Sequence, residues 1–155
     1  MTILILPSIP HTGTMFLLDL LKDFPEMRNP KKSDHGVIFM HIYAERIEEL
    51  KTLRGYPWLV PLRHPYKVAQ TWKAREKPLS LLVELWHRMR WFGTKPYYLC
   101  VDDPTRRDKQ LAIINDVLGT ELKTDWTPVS SFGLTAELTE TERTMMDPFI
   151  AFYRT

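Results

Sequence analysis

The chain has 155 residues, 44% of them hydrophobic, which fits one compact domain with a real core. Its 21 basic and 19 acidic residues leave a formal net charge of +2. That is too little for a global field demanding nucleic acid or a membrane as partner, although a local anion site stays open. The single cysteine, Cys100, excludes disulfides within the chain and a cysteine metal cage, and it points to a reducing, cytoplasmic setting.

The apolar start, residues 1–6, has no basic flank and is broken by Pro7 and Pro10. It reads as a first β-strand over 3–6 rather than a secretory or membrane-spanning segment. Further apolar runs rich in strand formers occupy 37–42, 58–62 and 97–101. Each is nearly continuous rather than alternating, as expected of parallel strands covered on both faces.

Helical periodicity fills the intervals. Residues 14–22 carry Phe16, Leu17, Leu20 and Leu21, and 44–53 carry Ile47 and Leu50 on one face. Pro65 suits the first turn of a helix reaching about Arg75. The run 79–92 carries Leu82, Leu85, Trp86 and Met89, and 107–118 stops at Gly119. Thr139 and Glu142 are spaced as a capping box before a last helix, which Pro148 kinks or restarts. Alternating strands and helices predict one three-layer α/β domain, a doubly wound parallel sheet of about four strands flanked by helices.

The most informative stretch is Ile5-Leu6-Pro7-Ser8-Ile9-Pro10-His11-Thr12-Gly13-Thr14-Met15-Phe16, a strand passing through a turn into a helix. Free amides at the helix start, close approach at Gly13 and the hydroxyls of Thr12 and Thr14 suit an anion. The ordinary alternative is a strand-to-helix turn capped by Thr12. Thr14 follows Gly13 where the nucleoside triphosphate loop needs lysine, which argues against a kinase or ATPase.

This loop resembles the 5′-phosphosulfate loop of the sulfotransferases that use 3′-phosphoadenosine 5′-phosphosulfate (PAPS). In that family a basic residue precedes a Ser/Thr-Gly-Thr run. A second resemblance lies at Val60-Pro61-Leu62-Arg63-His64-Pro65-Tyr66-Lys67-Val68-Ala69-Gln70-Thr71-Trp72. It looks like the family's 3′-phosphate motif, with Arg63 at the strand end and Thr71 in place of the helical serine. Independently of the family, a guanidinium at a strand's C-terminal end can grip phosphate through paired hydrogen bonds. The alternative for Arg63 is a salt bridge to a carboxylate.

The resemblance implies a P-loop NTPase-like fold and cofactor-binding roles for His11, Thr12, Gly13, Thr14, Met15, Phe16, Arg63 and Thr71. His41, at the end of the second strand, matches the family's general base, a role for which an imidazole is suited in general, although a histidine on an apolar strand is commonly a core residue. His11 departs from the family, which places lysine or arginine there to neutralise the departing oxygen. Phe16 stands either where some members stack an aromatic on adenine or in the core.

Arg28, Lys31 and Lys32 form either an electrostatic guide or a solvated loop. Trp86, Trp91, Phe92, Tyr97 and Tyr98 line an acceptor pocket or the core. Lys123, Asp125 and Trp126 only faintly echo the family's C-terminal phosphate-binding segment. The short chain implies trimmed acceptor insertions and a cleft that is open or completed by a second copy in a homo-oligomer.

The expected activity is metal-free, in-line transfer of a sulfuryl group from PAPS to a hydroxyl or amine acceptor, leaving 3′-phosphoadenosine 5′-phosphate (PAP). His41 and His11 are the catalytic candidates. Two alternatives stand beside it: a nucleotide-binding protein without turnover, and another P-loop phosphoryl-transfer enzyme.

Overall fold

The computed structural model describes residues 2–22, 37–92, 96–123 and 135–154. The apolar runs form strands β1 (Thr2–Ser8), β2 (Val37–Tyr43), β3 (Trp58–Leu62) and β4 (Pro96–Cys100). They make one four-stranded sheet, every pair parallel, in the order β2-β1-β3-β4. β1 lies inside the sheet, and Leu4, Ile5 and Leu6 are 0–1% exposed whichever face they point to.

Two separate cores explain that burial. On one face Leu4, Leu6, Phe39 and Leu59 pack with Phe16 and Leu17 of α1 (Thr14–Leu20) and with Leu111 and Ile114 of α4 (Pro104–Leu118). On the other, Ile5, Ile42, Trp58 and Val60 meet Val68 and Trp72 of α2 (Pro65–Ala74) and Leu82 and Trp86 of α3 (Leu79–Phe92). Met146 of α5 (Glu140–Met146) and Phe149 of α6 (Pro148–Tyr153) join this second core. The domain is a doubly wound α/β fold, with helices on both faces of a parallel sheet.

Strand order positions the site. The chain steps outward from β1 to β2, then crosses back over β1 to β3 and on to β4. Parallel crossovers share one hand, so reversing the direction of travel sends the connecting helices to opposite faces. The α1 and α2 helices obey this rule, and the connections leaving β1 and β3 diverge. A crevice opens at such a switch point, beyond the carboxyl ends of the strands.

Three local readings are refined. Residues 44–53 form a 3-10 helical stretch, Ala44–Leu53, broken at Arg46 (φ −107, ψ 19), not a regular α-helix. Its charged pairs, Arg46 with Glu49 and Lys51 with Glu48, are spaced three apart, the spacing that aligns side chains in a 3-10 turn. α4 begins at Pro104 instead of 107, because Asp103 accepts from the Arg106 amide at 3.3 Å and the proline needs no donor there. β4 begins at Pro96 and ends at Cys100, one position ahead of the expected run.

The capping box before α5 is present, and Pro148 starts α6 as a new helix. Trp86 belongs to the core. Arg28, Lys31, Lys32, Asp125 and Trp126 lie outside the described residues. Among the described residues no helix is long and apolar enough to cross a membrane.

Candidate functional site

The loop leaving β1 is held by its own backbone. The Thr12 amide and hydroxyl both donate to the Ile9 carbonyl, at 3.3 and 2.7 Å. His11 is left-handed at φ 68 and Gly13 has φ 114. A Cβ on Gly13 would stand 2.7 and 2.9 Å from the two Val101 methyl carbons. The glycine thus lets the loop lie against the residue that follows β4, a demand of packing beyond any approach to a ligand. Thr12 is 4% exposed with its amide and hydroxyl protons both committed to the Ile9 carbonyl, so what it offers a ligand is its hydroxyl oxygen as an acceptor.

At the end of β3, Arg63 and Thr71 come together. One guanidinium nitrogen of Arg63 donates to the His11 carbonyl at 2.9 Å and to the Thr71 hydroxyl at 3.4 Å. Thr71 in turn donates to the Lys67 carbonyl at 3.1 Å, one helical turn back. Arg63 is 8% exposed and Thr71 fully buried. Burial lowers the Arg63 pKa while the Asp102 carboxylate opposes the shift; an arginine remains charged under such a perturbation. The crevice against Arg63, walled by Phe152 and Tyr153 of α6, encloses about 10 Å³, the room of roughly one water. The guanidinium is packed on that side.

The loop is also clamped from α2, where the Trp72 indole donates to the Pro10 carbonyl at 2.8 Å. Cations gather nearby. His11 is held down to a pKa of about 4, first by burial and then by Lys77, Arg75 and Arg63. Its imidazole is therefore neutral at pH 7, and the positive potential at the loop comes from the three neighbours.

The structure places the remaining candidates as follows. His41 is 7% exposed, pairs across the sheet with Leu6, and shares its face with Phe39 two residues earlier. β1 runs between it and Arg63, so their strands stand two spacings apart, about 9.6 Å. Phe16 is 1% exposed in the core with the Arg107 guanidinium 5.7 Å over its ring. The stacking role suggested for Phe16 therefore gives way to core packing, because no ring face is open to adenine. Met15 is 72% exposed at the same loop.

One constellation escaped the sequence. Asp102, just past β4, accepts from the His64 amide at 2.9 Å, the Tyr153 hydroxyl at 2.7 Å and the Cys100 thiol at 3.3 Å. The Lys67 ammonium stands 3.5 Å from it. Burial pushes Asp102 up, but these four donors outweigh it and its pKa lies below the ordinary carboxylate value. Burial and the same carboxylate push the Tyr153 phenol up. This knot ties α6 to the turn carrying Arg63. Paired acids after a strand, Asp102-Asp103, were its one visible signal.

Among the described residues, no cluster of three or more His, Cys, Asp or Glu side chains is placed to hold a metal ion. No family model, curated protein or solved structure matches the chain.

Proposed function

We propose that this chain is a PAPS-dependent sulfotransferase, with a fold related to the P-loop proteins. The observation that carries the reading is the meeting of Arg63 and Thr71, eight residues apart, with the carbonyl of His11 at the β1/β3 switch point. A buried guanidinium beside a hydroxyl, next to a loop that feels the charges of Lys77, Arg75 and Arg63, suits a nucleotide with anionic groups at both ends.

In this reading Arg63 and Thr71 hold the 3′-phosphate once it displaces the packing of Phe152 and Tyr153 against the guanidinium. The loop from His11 to Met15 and its neighbouring cations hold the 5′-phosphosulfate and stabilise charge on the departing oxygen. An acceptor hydroxyl or amine attacks sulfur as the bond from sulfur to the bridging oxygen breaks. The bonding pair leaves on PAP and the acceptor proton passes to His41.

Calorimetric titration with PAP, adenosine 5′-monophosphate and ATP with magnesium tests the site. Binding that depends on the 3′-phosphate is the expected result; preference for ATP with magnesium would sink it. A second reading, PAPS binding without turnover, is favoured by the burial of His41 and the neutrality of His11. Labelled-sulfate transfer separates the two. His41→Ala should abolish transfer while sparing PAP binding, whereas Arg63→Ala should weaken binding itself.

A further inference from the structure

The cations around His11 include one whose position is built by an unusual turn. At the end of α2 the Glu76 amide donates to the Lys73 carbonyl at 3.0 Å, and the Lys77 amide to the Trp72 carbonyl at 2.9 Å. These are the paired bonds of a helix end that closes through a left-handed residue. Here that residue is Glu76 at φ 57, where glycine is the unstrained choice.

The turn folds Lys77 back onto its own helix. Its ammonium lies 5.4 Å from the centre of the Trp72 ring, and the same indole holds the Pro10 carbonyl at 2.8 Å. Lys77 is thus tethered over a side chain that grips the residue before His11. Lys73, one turn earlier, is neutralised by Glu142 at 2.7 Å. Among the described residues neither Lys77 nor Arg75 has a carboxylate within ion-pair distance. A positioned, uncompensated ammonium beside an anion loop lacks only its anion.

We propose that Lys77 is an anion-binding residue of this site, its ammonium taking the 5′-phosphate oxygens of the nucleotide whose 3′-phosphate Arg63 and Thr71 hold. Lys77 then supplies, from α2, the charge that the neutral His11 does not supply from the loop. The identity of the anion rests on the sulfotransferase reading; the cation's placement does not.

The test is calorimetric titration of the full chain and its Lys77→Gln and Lys77→Arg variants with PAP, adenosine 3′-monophosphate and inorganic pyrophosphate. Lys77→Gln should weaken PAP and pyrophosphate about tenfold, the worth of one charge-assisted contact, and leave adenosine 3′-monophosphate unchanged. Lys77→Arg should keep most of the PAP affinity. Unchanged PAP affinity in Lys77→Gln, or equal weakening of all three ligands, overturns the assignment of Lys77 and leaves the sulfotransferase reading standing. Wild-type binding of pyrophosphate but not PAP, lost in Lys77→Gln, supports Lys77 and sinks the sulfotransferase reading. Failure of the wild type to bind either anion overturns both.

Discussion

Replacing Gly13 by alanine separates two reasons for a glycine in the loop. The new Cβ points at Val101, whose methyl carbons lie 2.7 and 2.9 Å away, and Val101 is 0% exposed with no room to retreat. Overpacking of this kind costs about 1–3 kcal/mol. The backbone at φ 114 adds about 1–2 kcal/mol for an L-residue held left-handed. Gly13→Ala should therefore lose about 2–5 kcal/mol, a fall in Tm on the order of 5–15 °C for a domain of this size. Val101→Ala alone removes two buried methyl groups and should cost about 2 kcal/mol. In the double variant the steric part disappears and the backbone part stays, so the loss should fall short of the sum by about 1–3 kcal/mol. Urea unfolding followed by circular dichroism measures all corners of the cycle. Additivity within about 0.5 kcal/mol would refute the packing of Gly13 on Val101.

Glu76→Gly relieves the left-handed turn after α2 and should stabilise the chain by about 1 kcal/mol, raising Tm by about 2–4 °C; an unchanged or lower melt would contradict the strain assigned to Glu76. Asp102→Asn leaves donors from His64, Tyr153 and Cys100 competing for one acceptor and should cost about 2–4 kcal/mol in urea unfolding. Because the Asp102 pKa is depressed in the fold, its stabilisation is present above the unfolded value and fades as pH falls through the lower folded one. The two proteins should converge in stability at acid pH, and a constant gap would contradict the charge assigned to Asp102. His11 should titrate near pH 4 by NMR. Its depressed pKa makes the fold bind fewer protons than the unfolded chain between the ordinary value of 6.5 and about 4, so this group erodes stability as pH falls through that window. An anion bound beside His11 raises its pKa, so PAP binding at pH 5.5 should take up protons, read as a dependence of calorimetric heat on buffer. A His11 titration near its ordinary value would remove the cationic ring from the loop.

What was legible in the sequence is what neighbours along the chain decide. Continuous apolar runs such as 58–62 announce strands covered on both faces, and all five side chains of β3 are buried. Arg63 and Thr71 could be paired in advance only through the resemblance of their stretch to the sulfotransferase 3′-phosphate motif. The 3-10 stretch was misread because Ile47 and Leu50, three apart in the sequence, suit one face of an α-helix and of a 3-10 helix alike.

The electrostatic character of the loop was not legible, because it is set by residues that only the fold brings near. Arg63 reaches the His11 carbonyl across 52 positions, and Trp72 reaches Pro10 across 62. The sequence shows a histidine where a relative of the sulfotransferases would carry a permanent cation, which suggests a weakened site. Burial in the fold, with the charges of Lys77, Arg75 and Arg63 adding to it, holds that histidine neutral. A lysine at position 11 would be a fourth cation in the same partly buried space, desolvated and repelled by three like charges. His11→Lys should therefore not act as a simple restoration. It should lower the stability of the empty protein and tighten PAP, since the anion relieves the repulsion it meets. Loss of stability without tighter binding would mean that the three existing cations already saturate the site, and equal stability would mean that they do not face position 11.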